Sequence, residues 1–351
     1  MNRLAEDLDY ILAHTEPLWD DLRGQRLFIT GGTGFFGCWL LESFAWANDR
    51  LGLDANAVVL TRNPGEFQRK APHLVSHPAI DLYLGDVQDF AFPAGHFSHV
   101  IHAAAEVGAA SQGDAARILD TIVGGTRRTL EFAGYCQAEK LLLVSSGAVY
   151  GRQSAELSHV SEAYFCAPDV MDPRSAYGEG KRVAELLSTI YGGIYGFEVK
   201  VARCFSFVGP YMPLNAHFAI GNFVRDGLQG GPIRICGEGT SERSYLYAAD
   251  LVIWLWTILL RGKSNYPYNV GSEKGIAIRS LAHLVSEAFG FASDILVREG
   301  TVESLSASRY VPNVERAMLD LELRCEIDIV QSIQKSIVWF SGNHSFGSGV
   351  K

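Results

Sequence analysis

Apolar residues recur along this chain in two alternating rhythms. RLFIT at 26–30, AVVLT at 57–61, DLYLGD at 81–86, HVIHAAA at 99–105 and KLLLVSS at 140–146 are short, largely apolar runs, the pattern of strands buried on both faces. Between them lie stretches of helical spacing, FGCWLLESFAWA after the first run and ARILDTIVGGTRRTLEFAGYC at 116–136. Strands alternating with helices predict right-handed βαβ units, and so an α/β fold with a doubly wound parallel sheet. Leu4, Leu8, Ile11 and Leu12 add an amphipathic helix before the first strand, whose apolar face must pack on the body that follows. Beyond residue 200 the chain is richer in Gly, Pro and aromatic residues, and helical patterns at 217–229, 250–261 and 279–289 no longer alternate regularly with strands. The expected organisation is a helical extension over 1–24, a main domain over 25–200, and over 201–351 a smaller lobe with some strands returning to the main sheet. No repeat, low-complexity tract or linker separates the lobes, so a cleft between tightly packed halves is expected.

Composition narrows the function. A chain of 351 residues with 48% hydrophobic and 20% charged residues has enough apolar surface for a large core. A net charge of -9 argues against nucleic acid as the main partner, and an anionic ligand would need a local basic pocket. The six cysteines form no C-x-x-C pair, so neither a zinc site nor a disulfide framework is expected and a reducing, cytoplasmic setting fits. The acidic start of the chain does not read as a signal peptide. LVIWLWTILL at 251–260 is too short to span a bilayer and is expected to be a buried helix, leaving no membrane partner.

TGGTGFFG at 30–37 lies between a predicted strand and a predicted helix. Gly31 permits a tight turn, Gly34 lets the backbone approach a pyrophosphate, and Gly37 lets helix and strand pack closely, which together point to a Rossmann-type dinucleotide site. Thr33, Phe35 and Phe36 complete that loop. At the end of the second strand a carboxylate would select NAD, but Thr61, Arg62 and Asn63 stand there, with Arg69 and Lys70 nearby, so NADP is favoured and NAD remains open. Asp86 and Val87 after the third strand would reach the adenine, and the small Ala103, Ala104 and Ala105 would let the dinucleotide lie against the sheet.

Tyr177 and Lys181 in YGEGK are one helical turn apart, a spacing that sets an ammonium near a phenol and would lower the phenol's pKa. Ser146 ends the fifth strand at the carboxyl edge of the sheet, where such folds gather ligands and where its hydroxyl would polarise a carbonyl. At this point TGGTGFFG, GDV at 85–87, HAAAE at 102–106, SSGAVYG at 145–151, YGEGK and VARCFSFVGP at 201–210 jointly resemble the extended short-chain dehydrogenase/reductase family of nucleotide-sugar epimerases, dehydratases and reductases. The resemblance implies that Ser146, Tyr177 and Lys181 are the catalytic triad, with Tyr177 and Lys181 also touching the cofactor. It implies a nucleotide-diphosphate sugar as substrate, contacted by Ser146, Asn222, Arg243 and Arg309, and a homodimer formed through helices at about 116–136 and 175–192. Ser206 stands where relatives usually carry a substrate-contacting Asn.

The two residues after Ser146 bear on the reaction. In dehydratases resembling this chain they are an Asp-Glu pair, decarboxylases keep a Glu, and epimerase-reductases place a Cys second; this chain has Gly147 and Ala148. YGEGKRVAE nevertheless resembles the decarboxylases closely. The expected reaction is reduction of a 4-keto-6-deoxyhexose, with 4-epimerisation, a 4,6-dehydratase-like reaction and non-catalytic NADP sensing as alternatives in that order. His217 stands where an additional acid/base could reach the sugar.

Overall fold

The computed structural model describes residues 2–105, 114–216, 218–290, 294–298 and 308–342. In chain order the first elements are α1 (Ala5–Thr15), a 3-10 turn (Glu16–Leu22), β1 (Arg26–Thr30), α2 (Phe35–Leu51), β2 (Asn56–Thr61), α3 (Pro64–Lys70), α4 (Pro72–Val75), β3 (Ile80–Leu84), β4 (His99–His102), α5 (Ala115–Tyr135), β5 (Lys140–Ser146), α6 (Ala176–Tyr195) and β6 (Glu198–Cys204). The main sheet has seven strands in the order Tyr266–Val270, β6, β5, β4, β1, β2, β3, and every adjacent pair is parallel. The strand order reverses direction between β1 and β4, which opens a crevice at the carboxyl ends of those strands.

Two-residue alternation sorts the strand side chains into two apolar layers. Leu27 and Ile29 of β1, Ala57 and Val59 of β2, and Leu142 and Val144 of β5 face one core, while Phe28, Val58, Leu60, Leu141 and Leu143 face the other. The second core is closed by α5 and α6 and includes Phe90, Phe97 and Phe132 packed around Phe28. In the first core the helix Ala248–Arg261 is buried from Ala248 through Leu260, because it lies between the sheet and a second layer made by α1 and α2. This explains its apolar character on every side. No helix among the described residues is long and apolar enough to cross a membrane.

The N-terminal helix is riveted to this layer by polar as well as apolar contacts. Asp7 accepts hydrogen bonds from Tyr247 (2.7 Å) and Lys335 (2.9 Å), and Tyr10 donates to Asp250 (2.8 Å). The smaller core, around Val208, Phe223, Val224, Ile235, Leu281 and Val285, packs beyond the carboxyl edge of the sheet and holds the helices Ala219–Leu228 and Ile278–Ala288.

Trp256 is fully buried against Trp19, and its indole N–H donates to Ser43 at 2.9 Å. Trp256→Ala should therefore lower the unfolding free energy by about 3–5 kcal/mol, the usual cost of deleting a buried large aromatic residue. Urea denaturation would measure it, and a loss below about 1 kcal/mol would contradict this packing.

Candidate active site

The chain turns sharply out of β1. Gly31 has φ +72, and a Cβ there would lie 2.5 Å from the carbonyl carbon of Ala103, so the turn needs glycine both for conformation and for space. A Cβ on Gly37 would lie 2.3 Å from the Gly32 backbone, which leaves no room for a side chain between α2 and the strand. Gly34 caps α2 without any side-chain hydrogen bond, leaving the first-turn N–H groups beneath the loop open to an anion. Around them, Lys70 donates to the Thr33 carbonyl (2.8 Å), and Phe36 packs edge-on against Phe207 with Phe35 beside it. Ala103 and Ala104 hydrogen-bond Thr30, closing the β1–β4 edge, and with Ala105 they present no bulk over it. These features suit the backbone approach and small floor that a dinucleotide needs.

At the β2 end, Arg62 is 71% exposed and lies 3.8 Å from Asp86. Asp86 also accepts a hydrogen bond from the Gln88 backbone, so it acts as a turn cap as well, while Val87 packs over Gly125 of α5. Asn63 is occupied in capping α3 through the Glu66 N–H.

The second cluster forms where β5 meets α6. Ser146 is the last residue of β5, and its hydroxyl accepts from the Ala148 N–H (3.1 Å) to start a 3-10 turn over Gly147–Tyr150. Tyr177 and Lys181 face this turn from the first turns of α6, with the Lys181 ammonium 6.0 Å from the Tyr177 ring centre. A Cβ on Gly178 would lie 2.7 Å from the Ala148 carbonyl, so helix and turn are in direct contact. Glu185, unmarked by the sequence reading, fixes that contact. Its carboxylate accepts from Ser145 (2.6 Å) and from Arg203 of β6 (3.0 and 2.7 Å), tying α6 to two strands.

The electrostatics correct one expectation. Burial pushes the Tyr177 phenol up to about 12, with the Ser146 hydroxyl partly opposing the rise, rather than Lys181 drawing it down. The ammonium instead donates to the Val144 carbonyl (2.8 Å), and its own burial holds its pKa down to about 8. Desolvation is the first cause of the Tyr177 shift, and Lys181 is not among its causes.

A further side chain reaches this cluster from the C-terminal region. Tyr310, in the short strand Arg309–Tyr310, packs its ring against Phe205 with centroids 4.6 Å apart, and its hydroxyl stands beside Ser146, 2.7 Å from where a Cβ on the neighbouring Gly147 would lie. Alternation along that strand turns Arg309 elsewhere. Its guanidinium pairs with Glu242 (2.6 Å) and donates to the Leu157 carbonyl (3.2 Å), so Tyr310 rather than Arg309 meets Ser146. Arg243, the register partner of Tyr310, donates to Glu242 and Ser308 and lies 5.9 Å from the Tyr310 ring centre. Asn222 accepts from Arg225 (3.1 Å) in the smaller lobe, and the Ser206 carbonyl accepts from Leu246 N–H where the lobes join. Glu106 and His217 lie outside the described residues. Among the described residues no cluster of His, Cys, Asp or Glu could hold a metal ion.

Comparison with known proteins places this arrangement among relatives. Residues 27–271 match the model of the NAD dependent epimerase/dehydratase family. The chain is 29% identical over 320 residues to UDP-glucuronic acid decarboxylase 1 of Xenopus tropicalis, covering 90% of this chain and 72% of that protein. Its fold is similar to the UDP-glucose 4-epimerase of Thermotoga maritima with UDP-glucose (TM-score 0.77, 20% identity, 91% and 99% of the two chains covered). It is also similar to the dTDP-glucose 4,6-dehydratase of Streptomyces venezuelae with NAD bound (TM-score 0.78, 23% identity, 91% and 98% covered). The glycine turn, the seven-stranded parallel sheet and the match over most of its length lead to one conclusion: the chain belongs to the NAD-dependent epimerase/dehydratase family, whose members modify nucleotide sugars.

Proposed function

We propose that this protein reduces a nucleotide-linked 4-keto-6-deoxyhexose with NADPH, using Tyr177 as the proton donor. The observation that carries this reading is the content of the site around Ser146. Gly147 and Ala148 offer no group that moves a proton, and the volume beside Gly147 is taken by the Tyr310 hydroxyl and the Phe205 ring. Elimination of water needs an acid and a base beyond the phenol, whereas carbonyl reduction needs only one proton and one hydride.

The bound nicotinamide dinucleotide supplies the hydride; the chain's own residues do the rest. The glycine turn, the open N-terminus of α2, Asp86 and Ala103–Ala105 hold the cofactor, and Lys181 orients its nicotinamide ribose. Burial keeps the Tyr177 phenol protonated near neutral pH, so its O–H is ready to protonate the sugar oxygen as the carbonyl is reduced. Ser146 polarises the same carbonyl. Arg62 and Lys70 at the β2 corner, with no carboxylate on Thr61, Arg62 or Asn63, support NADP over NAD. Arg243, half-buried at the lobe boundary, is the guanidinium best suited to the substrate diphosphate, with Asn222 farther into the lobe. Leu186, Ile190 and Ile194 form an exposed apolar row on α6, which supports a homodimer.

The test is spectrophotometric. Given NADPH and a nucleotide-linked 4-keto-6-deoxyhexose, the protein should consume reduced cofactor in proportion to product. Sugar turnover without net consumption would move the assignment to 4-epimerisation, and release of carbon dioxide from UDP-glucuronate would overturn the reductase reading. Tyr177→Phe should cut turnover roughly a hundredfold or more while leaving cofactor affinity nearly intact, because only the proton donor is lost.

Cofactor choice is tested separately by titrating both dinucleotides. Arg62→Ala should weaken NADP binding by about tenfold, about 1.4 kcal/mol, and leave NAD almost unchanged. Equal losses for the two would remove the argument for a 2′-phosphate pocket.

A further inference from the structure

The space beside Gly147 is full. A Cβ built there would lie 2.7 Å from the Tyr310 hydroxyl oxygen and 2.7 Å from the tip of the Phe205 ring, so no side chain fits at position 147 while these two rings stay in place. Glycine at this position is therefore coupled to a residue more than a hundred positions away in sequence. What enters the volume is a hydroxyl, and it stands next to Ser146, the residue before Gly147.

We infer that Tyr310 is a substrate-contacting, specificity-determining residue: its phenol hydroxyl takes the place of the side chain that Gly147 lacks and hydrogen-bonds the sugar beside the oxygen handled by Tyr177 and Ser146. This rests on the reading of the substrate as a nucleotide sugar. Three features support it. The Tyr310 ring is braced on one side by Phe205 at 4.6 Å, which directs the hydroxyl rather than letting it swing. The strand that carries it is anchored by the pairing of Arg309 and Tyr310 with Glu242 and Arg243 and, just after it, by a Val311 N–H to Gln153 bond (3.2 Å). The Ser146 oxygen already accepts from the Ala148 N–H and has one acceptor lone pair left, so it cannot accept from both phenols, and at least one phenol O–H stays free to donate to a ligand. A phenol in this place donates a hydrogen bond yet stays neutral, since burial and the neighbouring Tyr177 both raise its pKa. It would therefore position a neutral sugar hydroxyl or carbonyl and would not act on carbon as a carboxylate would.

The experiment uses the full chain loaded with NADP, and calorimetric titration with UDP, dTDP, UDP-glucose and dTDP-glucose. Tyr310→Phe keeps the ring and its contact with Phe205, and circular dichroism melts confirm that the variant folds. The expected result is a five- to tenfold loss of affinity for the nucleotide sugar that the unaltered protein binds, with affinity for the matching free nucleoside diphosphate unchanged within twofold. A merely structural role for Tyr310 would weaken both alike, and that result overturns the inference. So does unchanged affinity for both. If the unaltered protein binds neither nucleotide sugar, the substrate reading fails first and the inference falls with it, an outcome distinct from a variant that binds normally.

Discussion

The attachment of α6 to the ends of β5 and β6 is the constraint on which the rest of the site depends. A helix packed only by apolar contacts could slide by a fraction of a turn, and Tyr177 would then leave the end of β5 or Lys181 the Val144 carbonyl. The Glu185 carboxylate opposes this by accepting hydrogen bonds from Ser145 and from Nε and Nη2 of the Arg203 guanidinium. Arg203 also donates to the Tyr150 hydroxyl, and Tyr150 in turn donates to Asn269, so helix, turn and three strands share one buried polar network. Such a network is costly when broken and directional when complete, which gives the site its registration.

Burial then sets the chemistry. Around Ser146 the chain gathers two phenols and an ammonium but no carboxylate among the described residues that bonds them, and desolvation acts on each in the direction that favours its neutral form. A neutral phenol is a proton donor, which fits addition of hydride to a carbonyl more readily than abstraction of a proton from carbon. The same crowding explains why the residue after Ser146 is glycine: Tyr310 and Phe205 occupy the volume that a side chain would need.

Much of this was legible in the sequence, for identifiable reasons. Five strands of the main sheet are legible as short, largely apolar runs because most of their residues are buried, and their predicted limits agree with the structure to within a few residues. β6 and Tyr266–Val270 were not recognised as strands, since Glu198, Lys200 and Arg203 in the one and Pro267 and Asn269 in the other break the apolar pattern. Glu185 carries no sequence signal, because a glutamate on an amphipathic helix looks like a solvated residue until β6 supplies its partner. Tyr310 was missed in favour of the adjacent Arg309: charge draws attention to the arginine, but strand alternation directs the tyrosine to Ser146 and leaves the arginine with Glu242. Helical spacing also suggests a phenol made acidic by Lys181; it carries no information on burial, which is the first cause of the upward shift.

On the proposed reaction this site moves hydride and one oxygen-bound proton, with no proton exchange at carbon. Isotope tracing tests it most directly. With deuterium at the transferable position of NADPH and a nucleotide-linked 4-keto-6-deoxyhexose, the product should carry that deuterium on the former carbonyl carbon. In deuterated water with unlabelled cofactor, no deuterium should enter any ring carbon during enzymatic turnover beyond the substrate's own background exchange. Enzyme-dependent incorporation of solvent deuterium at the carbon next to the carbonyl would contradict the account, because it would require an acid/base group acting on carbon that neither Gly147 nor Ala148 can supply.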